Sequence, residues 1–214
     1  MQRVQLGNIT LYNGDCMDYL RECENNAFEL AIVDPPYSNG NGKVERTGGT
    51  WASKYGKKIH EWDKLPPPLE YFQELFRVSK NQIIWGANYF PNMPPTRCFI
   101  VWRKHIPENF TMAMCEYAWT SFDANAKCYE HSSVGTSNDP RWHPSQKPIA
   151  LYKWLLNNYA HEGDRILDTH LGSGSIAIAC HDLNFQLTGI ELDSDYFQKA
   201  VHRIKEHQRQ LKLF

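Results

Sequence analysis

Apolar and polar positions along this chain repeat with two periods, and the places where the period changes mark its elements. Val4 to Tyr12 reads as two short strands broken at Gly7-Asn8 and closing at Gly14-Asp15. A brief helix follows over Met17–Glu24, with Asp15 a candidate cap. Leu30-Ala31-Ile32-Val33 is continuously apolar, as a strand buried on both faces of a parallel sheet would be. Leu69, Phe72, Leu75 and Phe76 recur at helical spacing over Leu69–Ser79, so they predict an amphipathic helix. Gln82–Trp85, Cys98–Trp102 and Met112–Thr120 read as strands, and Ile149–Ala160 as a helix that gives Trp154, Leu155 and Tyr159 to the core. Arg165 to Asp168 is a strand leading into a Gly-rich turn and a helix through Ile176-Ala177-Ile178-Ala179. Gln186–Ile190 is a further strand, ending in Glu191. The last helix runs from about Asp195 to Leu213 and aligns Phe197, Val201, Ile204, Gln208 and Leu211 on one face. Strands alternating with helices predict an α/β fold, a mostly parallel twisted sheet with helices on both faces.

Bulk properties narrow this to one compact domain over 1–214, since 214 residues can bury a full core. No apolar run approaches the ~18 residues of a membrane span, and no signal peptide opens the chain; a cytoplasmic protein without membrane contact is expected. The six cysteines form no Cys-x-x-Cys pair, so neither a zinc site nor a disulfide framework is implied. A net charge of −1 does not announce a nucleic-acid binder, but phosphate contacts need only a local basic surface. The 38–63 segment offers one: Lys43, Arg46, Lys54, Lys57 and Lys58 are interleaved with Trp51, Tyr55 and Trp62. It is either a solvated loop or a mobile flap that contacts DNA, with Lys54, Lys57 and Lys58 as phosphate contacts.

Two motifs carry chemistry. Asp34-Pro35-Pro36-Tyr37 follows the apolar strand directly, and open α/β sheets bind ligands at that strand end. Two prolines stop the strand and remove two N–H donors while leaving their carbonyls as acceptors. The result is a rigid corner with a carboxylate, bare carbonyl oxygens and an aromatic face, suited to a planar ring that carries an exocyclic amine. Read alone, the tetrapeptide is equally a stiff turn. The second motif is Asp168-Thr169-His170-Leu171-Gly172-Ser173-Gly174-Ser175, with Glu191 about 20 residues on from the turn, where a carboxylate can hold a ribose diol. Gly172 to Ala177 also fits the dinucleotide fingerprint, which makes a nicotinamide or flavin enzyme a rival. Against that rival, Asp168 puts a carboxylate where a pyrophosphate would lie, whereas a cationic sulfonium cofactor would be welcome there.

Together with His143-Pro144-Ser145-Gln146-Lys147-Pro148, these motifs resemble the S-adenosylmethionine-dependent DNA amino-methyltransferases, in the permuted order that places Asp-Pro-Pro-Tyr before the Gly loop. Ile83 to Phe90, Phe99 to Trp102 and Glu116 to Trp119 look like the family's remaining core segments. The resemblance implies a single-domain Rossmann-like methyltransferase fold with one antiparallel strand near the edge of the sheet. It implies S-adenosyl-L-methionine as cofactor, S-adenosyl-L-homocysteine as product and no metal. The target would be adenine N6 of a base flipped out of double-stranded DNA, in a cytoplasmic protein of prokaryotic or phage type. Asp34, Pro35, Pro36 and Tyr37 would be the catalytic corner. Asp15, Lys147, Asp168, His170, Gly172, Ser173, Gly174 and Glu191 would line the cofactor site, Asp15 toward the adenine and Lys147 toward the methionine carboxylate. A homodimer is common among relatives.

The chain departs from the pattern twice. Thr169-His170 stands where the family usually has Pro-Phe, so His170 either faces the site as a polar group or fills space. And the 122–142 segment is short where relatives commonly carry a target-recognition insert. Cytosine N4 is the alternative acceptor, favoured in relatives with Ser in place of Asp34. An inactive nucleic-acid-binding subunit is the alternative of another class.

Overall fold

A computed structural model describes residues 1–37, 66–110, 113–133, 140–143 and 145–210. The 38–63 segment, with Lys54, Lys57 and Lys58, lies outside the described residues. Nine strands form one sheet: β1 (Gln2–Leu6), β2 (Ile9–Asn13), β3 (Phe28–Val33), β4 (Ser79–Trp85), β5 (Phe99–Arg103), β6 (Cys115–Thr120), β7 (Lys127–Glu130), β8 (Arg165–Asp168) and β9 (Gln186–Glu191). The helices are α1 (Cys16–Glu22), α2 (Leu69–Val78), α3 (Ile149–Tyr159), α4 (Ser175–Asp182) and α5 (Ser194–Arg209).

The strand order is β1-β2-β9-β8-β3-β4-β6-β5-β7. β2, β9, β8, β3 and β4 pair in parallel, as do β5 and β7. β6 is antiparallel to both β4 and β5 and is the antiparallel strand that was expected; β1, folded back on β2, is a second. β7 falls in the 122–142 segment, where no strand was expected. Its pattern of two exposed, one half-buried and one exposed residue carries no apolar run to betray it.

Alternation within the central strands explains why the sheet is covered twice. Leu30, Ile32, Ile83 and Ile166 point to the face packed by α3, α4 and α5. Their neighbours Ala31, Val33, Ile84 and Leu167 point to the face packed by Tyr71, Phe72 and Leu75 of α2 and Leu20 of α1. Truncating Ile32 or Leu167 to Ala would cost about 2–5 kcal/mol. In α4 every residue from Ser175 to Cys180 is buried, because this helix is apolar on all sides and sits inside the fold. α5 buries only Phe197, Ala200, Val201 and Ile204, and Asp193 caps it by accepting from the N–H groups of Asp195 and Tyr196. It ends at Arg209, short of Leu213, and residues 211–214 lie outside the described set.

One expectation needs correcting. Leu69 is 52% exposed, since it opens α2 directly after Pro68; the buried face begins at Tyr71. Trp154 packs against the core from a half-buried position, beside fully buried Leu155.

The topology fixes where a ligand can sit. From β3 the chain runs outward through β4; from β8 it runs outward the other way through β9. β3 and β8 pair in parallel, so the strand order reverses between them, and crevices at such switch points are the usual ligand sites of open α/β sheets. Asp34 and Asp168 stand at the carboxyl ends of these two neighbours.

Candidate active site

Asp34 leaves β3 into a buried charge network. Its Oδ2 accepts from Lys147 Nζ at 2.5 Å, Lys147 also donates to Glu116 Oε2 at 3.1 Å, and Glu116 Oε1 is held by Lys104 Nζ at 2.6 Å. The side chain of Lys147 is 3% exposed and lies over the Trp85 ring. Asp34 Oδ1 is buried and, among the described residues, has no hydrogen-bond partner. Burial pushes the Asp34 carboxyl up, and Lys147 opposes that push while Glu116 adds to it. Burial would also raise Glu116, but Lys147 and Lys104 bring it down to about 2.

Pro35 is buried, and Tyr37 turns its ring onto β4's exit. Gly86 is left-handed there, at φ 68°, and a Cβ on it would stand 2.5 Å from the Tyr37 ring, so glycine is required. Tyr89 stacks parallel on Tyr37, with centroids 4.5 Å apart and planes 5° apart. Tyr89 is itself 43% exposed.

The second half of the site is built on β8 and β9. Asp168 is 2% exposed; its Oδ1 accepts from the His170 N–H at 3.0 Å, and no cation pairs with it among the described residues. Burial, reinforced by Asp34 and Glu191, raises its carboxyl to about 8 despite the His170 amide. His170 cannot neutralise it, because burial lowers the imidazole to about 4. The His170 ring sits edge-on to Tyr71 and its Nδ1 meets Thr169 Oγ1, which also bonds Tyr71 Oη. His170 is therefore packed into a local network.

Glu191 anchors the Gly loop. Its Oε2 accepts from the Gly172 N–H at 2.7 Å and its Oε1 from the Asp193 N–H at 2.9 Å. Gly172 has φ 53°, and a Cβ there would meet the His143 ring at 3.3 Å. Gly174, at φ 74°, packs against Ala200 and Ile204 of α5. The buried Ser173 bonds Ser175 through its hydroxyl, while Arg203 holds the Ser173 carbonyl. Asp15 stands at the end of β2, beside Glu191's strand, with Oδ1 accepting from the Met17 N–H as the cap of α1.

His143 and Lys147 tie the halves together. His143 covers Gly172 at one end and Lys147 reaches Asp34 at the other. Lys147 was expected on the methionine carboxylate; the structure places it between two protein carboxylates. His143 belongs to a motif that the sequence offers without a role for it, and Glu116, Lys104 and Tyr89 carry no sequence signal as site residues. Glu116 lay unremarked within a core segment, and only the β6 pairing brings it under Lys147. Among the described residues no group of three or more His, Cys, Asp or Glu is placed to hold a metal, and no helix is long and apolar enough to cross a membrane.

The fold is that of the Rossmann-like DNA methyltransferases. The structure of the M1.HpyAVI–SAM complex superposes with a TM-score of 0.59 at 20% identity, covering 91% of this chain and 99% of that one. PvuII DNA methyltransferase (cytosine-N4-specific) superposes with a TM-score of 0.63 at 10% identity, covering 98% and 89%. In sequence, the family model described as DNA methylase matches residues 101–202, which takes in the 143–148 segment, the Gly loop and Glu191. Type II methyltransferase M.HpaI of Haemophilus parainfluenzae is 27% identical over 86% of this chain and 70% of its own length. Type II methyltransferase M.HinfI of Haemophilus influenzae is 26% identical over 92% and 68%. In sequence and fold the chain is similar to the S-adenosylmethionine-dependent DNA amino-methyltransferases.

Proposed function

We propose that the chain methylates adenine N6 of a base flipped out of double-stranded DNA. The observation that carries this is Asp34 Oδ1, a buried acceptor without a partner at the mouth of the switch-point crevice. A buried acceptor left unmade costs about 1–3 kcal/mol, so its natural complement is an incoming N–H. The site fits the family's cofactor on its own terms. Asp168 is a buried carboxylate lacking a cation, Gly172 leaves room that any side chain would fill, and Glu191 has carboxylate lone pairs at the end of the neighbouring strand. When bound, S-adenosylmethionine supplies an electrophilic methyl group on a sulfonium.

The protein's own residues then do the rest. Asp34 Oδ1 and the Pro35 carbonyl accept the two amine hydrogens and draw electron density toward nitrogen, whose lone pair is otherwise delocalised into the ring. Those bonds strengthen as positive charge develops, which is where stabilisation accelerates a reaction. Asp34 acts by orientation and electrostatics, no covalent intermediate with the protein is needed, and the proton that the methylated nitrogen sheds would pass along its hydrogen bond to Asp34 and on to solvent. Tyr37 provides stacking worth on the order of 1–3 kcal/mol per base, offsetting part of the few kcal/mol needed to extrude it. Tyr89 stacks on Tyr37 and covers one face of its ring. Asp168 takes the methionine amine, Glu191 the ribose, and Asp15 the adenine of the cofactor.

Adenine is preferred to cytosine because the tetrapeptide opens with Asp34, the more usual partner of adenine in the family. The deciding experiment is transfer of a labelled methyl group to unmethylated plasmid DNA, followed by nucleoside mass spectrometry. N6-methyladenine is the expected product. N4-methylcytosine would keep the enzyme and reverse the base assignment, while absence of any methylated nucleoside with cofactor binding intact would overturn the proposal. A homodimer would enlarge the DNA-contacting surface; sedimentation equilibrium with and without a DNA duplex tests it.

A further inference from the structure

Gln146 and Lys147 are tied down by local bonds where the chain meets Asp34. Gln146 Oε1 accepts from the Trp142 N–H at 3.2 Å, the Gln146 N–H bonds the His143 carbonyl, and Pro148 confines Lys147 to extended backbone at the start of α3. Lys147 is thus delivered to one place by its own backbone. It meets two carboxylates from two different strands, β3's Asp34 and β6's Glu116, and Glu116 is pinned from behind by Lys104. Only one of Asp34's oxygens is engaged, and it is the one that faces Lys147.

We infer that Lys147 and Glu116 form a positioning clamp for Asp34: Lys147 occupies Oδ2 so that Oδ1 alone is presented to the acceptor amine, and Glu116 fixes Lys147 in that pose. The inference rests on the assignment of Asp34 to the amine and extends it to two residues outside the tetrapeptide. A lysine shared between two carboxylates cannot swing away toward either alone, which is why the pair positions better than a single ion pair would. The clamp also keeps Asp34 an acceptor. Without Lys147, a desolvated carboxylate beside Glu116 would take up a proton, and a protonated Asp34 would offer the amine a donor.

The groups that face Asp34 are Lys147, Glu116 and Lys104, with Tyr37, Tyr71, Tyr152 and Asp168 from the surrounding elements. Of these, Lys147 bonds it directly and Glu116 is the carboxylate on the same lysine, so removing one or the other should move Asp34's titration in opposite directions. The test is the pH dependence of kcat on unmethylated duplex DNA for the full chain. Lys147→Met, Lys147→Arg, Glu116→Gln and Asp34→Asn would be compared, with cofactor affinity measured by calorimetry for each.

Lys147→Met should lower kcat by about 10²-fold at neutral pH and displace the acid limb upward by about one unit or more, with cofactor affinity unchanged within about threefold. Glu116→Gln should displace the limb downward, and Lys147→Arg should restore its position. These last two variants leave no uncompensated buried charge on Asp34, so they keep the test open if Lys147→Met does not fold. Unmoved limbs in all variants, with Asp34→Asn inactive, would overturn the clamp alone. Loss of cofactor affinity in Lys147→Met that accounts for the lost activity would overturn it too and return Lys147 to the methionine carboxylate. Full activity in Asp34→Asn would overturn the underlying assignment of Asp34.

Discussion

Asp34 and Asp168 occupy equivalent places, at the carboxyl ends of two adjacent parallel strands, and both are taken out of water. They differ in their company. Asp34 has a resident cation in Lys147, held by Glu116, while Asp168, among the described residues, has a backbone N–H and no paired cation, and burial keeps the neighbouring His170 neutral. The sheet supplies the same position twice, and the neighbours give each a different electrostatic setting. A carboxylate already paired through one oxygen suits recognition of a neutral N–H by the other. A carboxylate without a counter-ion, raised to about 8, suits a ligand that brings its own positive charge.

The sharpest way to break this contrast is to remove each carboxylate in turn. Asp34→Ala should reduce methyl transfer by about 10³-fold while sparing cofactor affinity, because the proposed role of the lost acceptor is toward the amine. A calorimetric titration showing that this variant no longer binds cofactor would merge the two sites into one.

Asp168→Asn should do the reverse, weakening cofactor binding by about 10–100-fold, the range for a lost charge-assisted hydrogen bond. It should also stabilise the cofactor-free protein. Asp168 titrates at about 8 when folded against 3.8 ordinarily, so the folded chain holds the extra proton between those values and loses stability as pH rises through them. Melting curves at pH about 8 should therefore show Asp168→Asn higher by about 5 °C or more, with the gap closing toward pH about 4. An equal gap at both pH values would mean Asp168 is ionised throughout. In the wild type, cofactor binding at neutral pH should release a proton, visible as a binding enthalpy that varies with buffer.

Glu191→Ala should weaken cofactor binding about tenfold, since it removes the proposed ribose contact and also the acceptor of the Gly172 amide. An unchanged affinity would take Glu191 out of the ribose site and leave it as the anchor of the loop. The smallest effect is expected from Tyr89→Ala. Clearing the ring from Tyr37 should change the KM for DNA by about threefold or less and leave cofactor affinity untouched, and 2-aminopurine fluorescence at the target position would report whether the base now stacks. A large loss of kcat would make Tyr89 part of the slot that holds the base.

Much of this architecture was legible beforehand, for physical reasons that act locally. A short apolar run such as Leu30–Val33, stopped by two prolines, reads as a doubly buried strand, and Gly172 and Gly174 permit the positive φ that their turn uses. Asp34, Asp168 and the Gly loop could therefore be placed at strand ends from the sequence. β7 could not, because four largely exposed residues carry no periodic signal and owe their conformation to β5 beside them. Leu69 misled because helical spacing does not say where along a helix burial begins.

The partners of the site were decided only in three dimensions. Lys147 lies 113 residues from Asp34, and Glu116 meets it only because β6 pairs antiparallel with β4. Sequence determined which residues could carry charge and where the chain would turn. The tertiary structure decided which carboxylate received a lysine and which has no cation paired with it among the described residues. Ion pairing under burial depends on distances and desolvation that only the packed sheet defines.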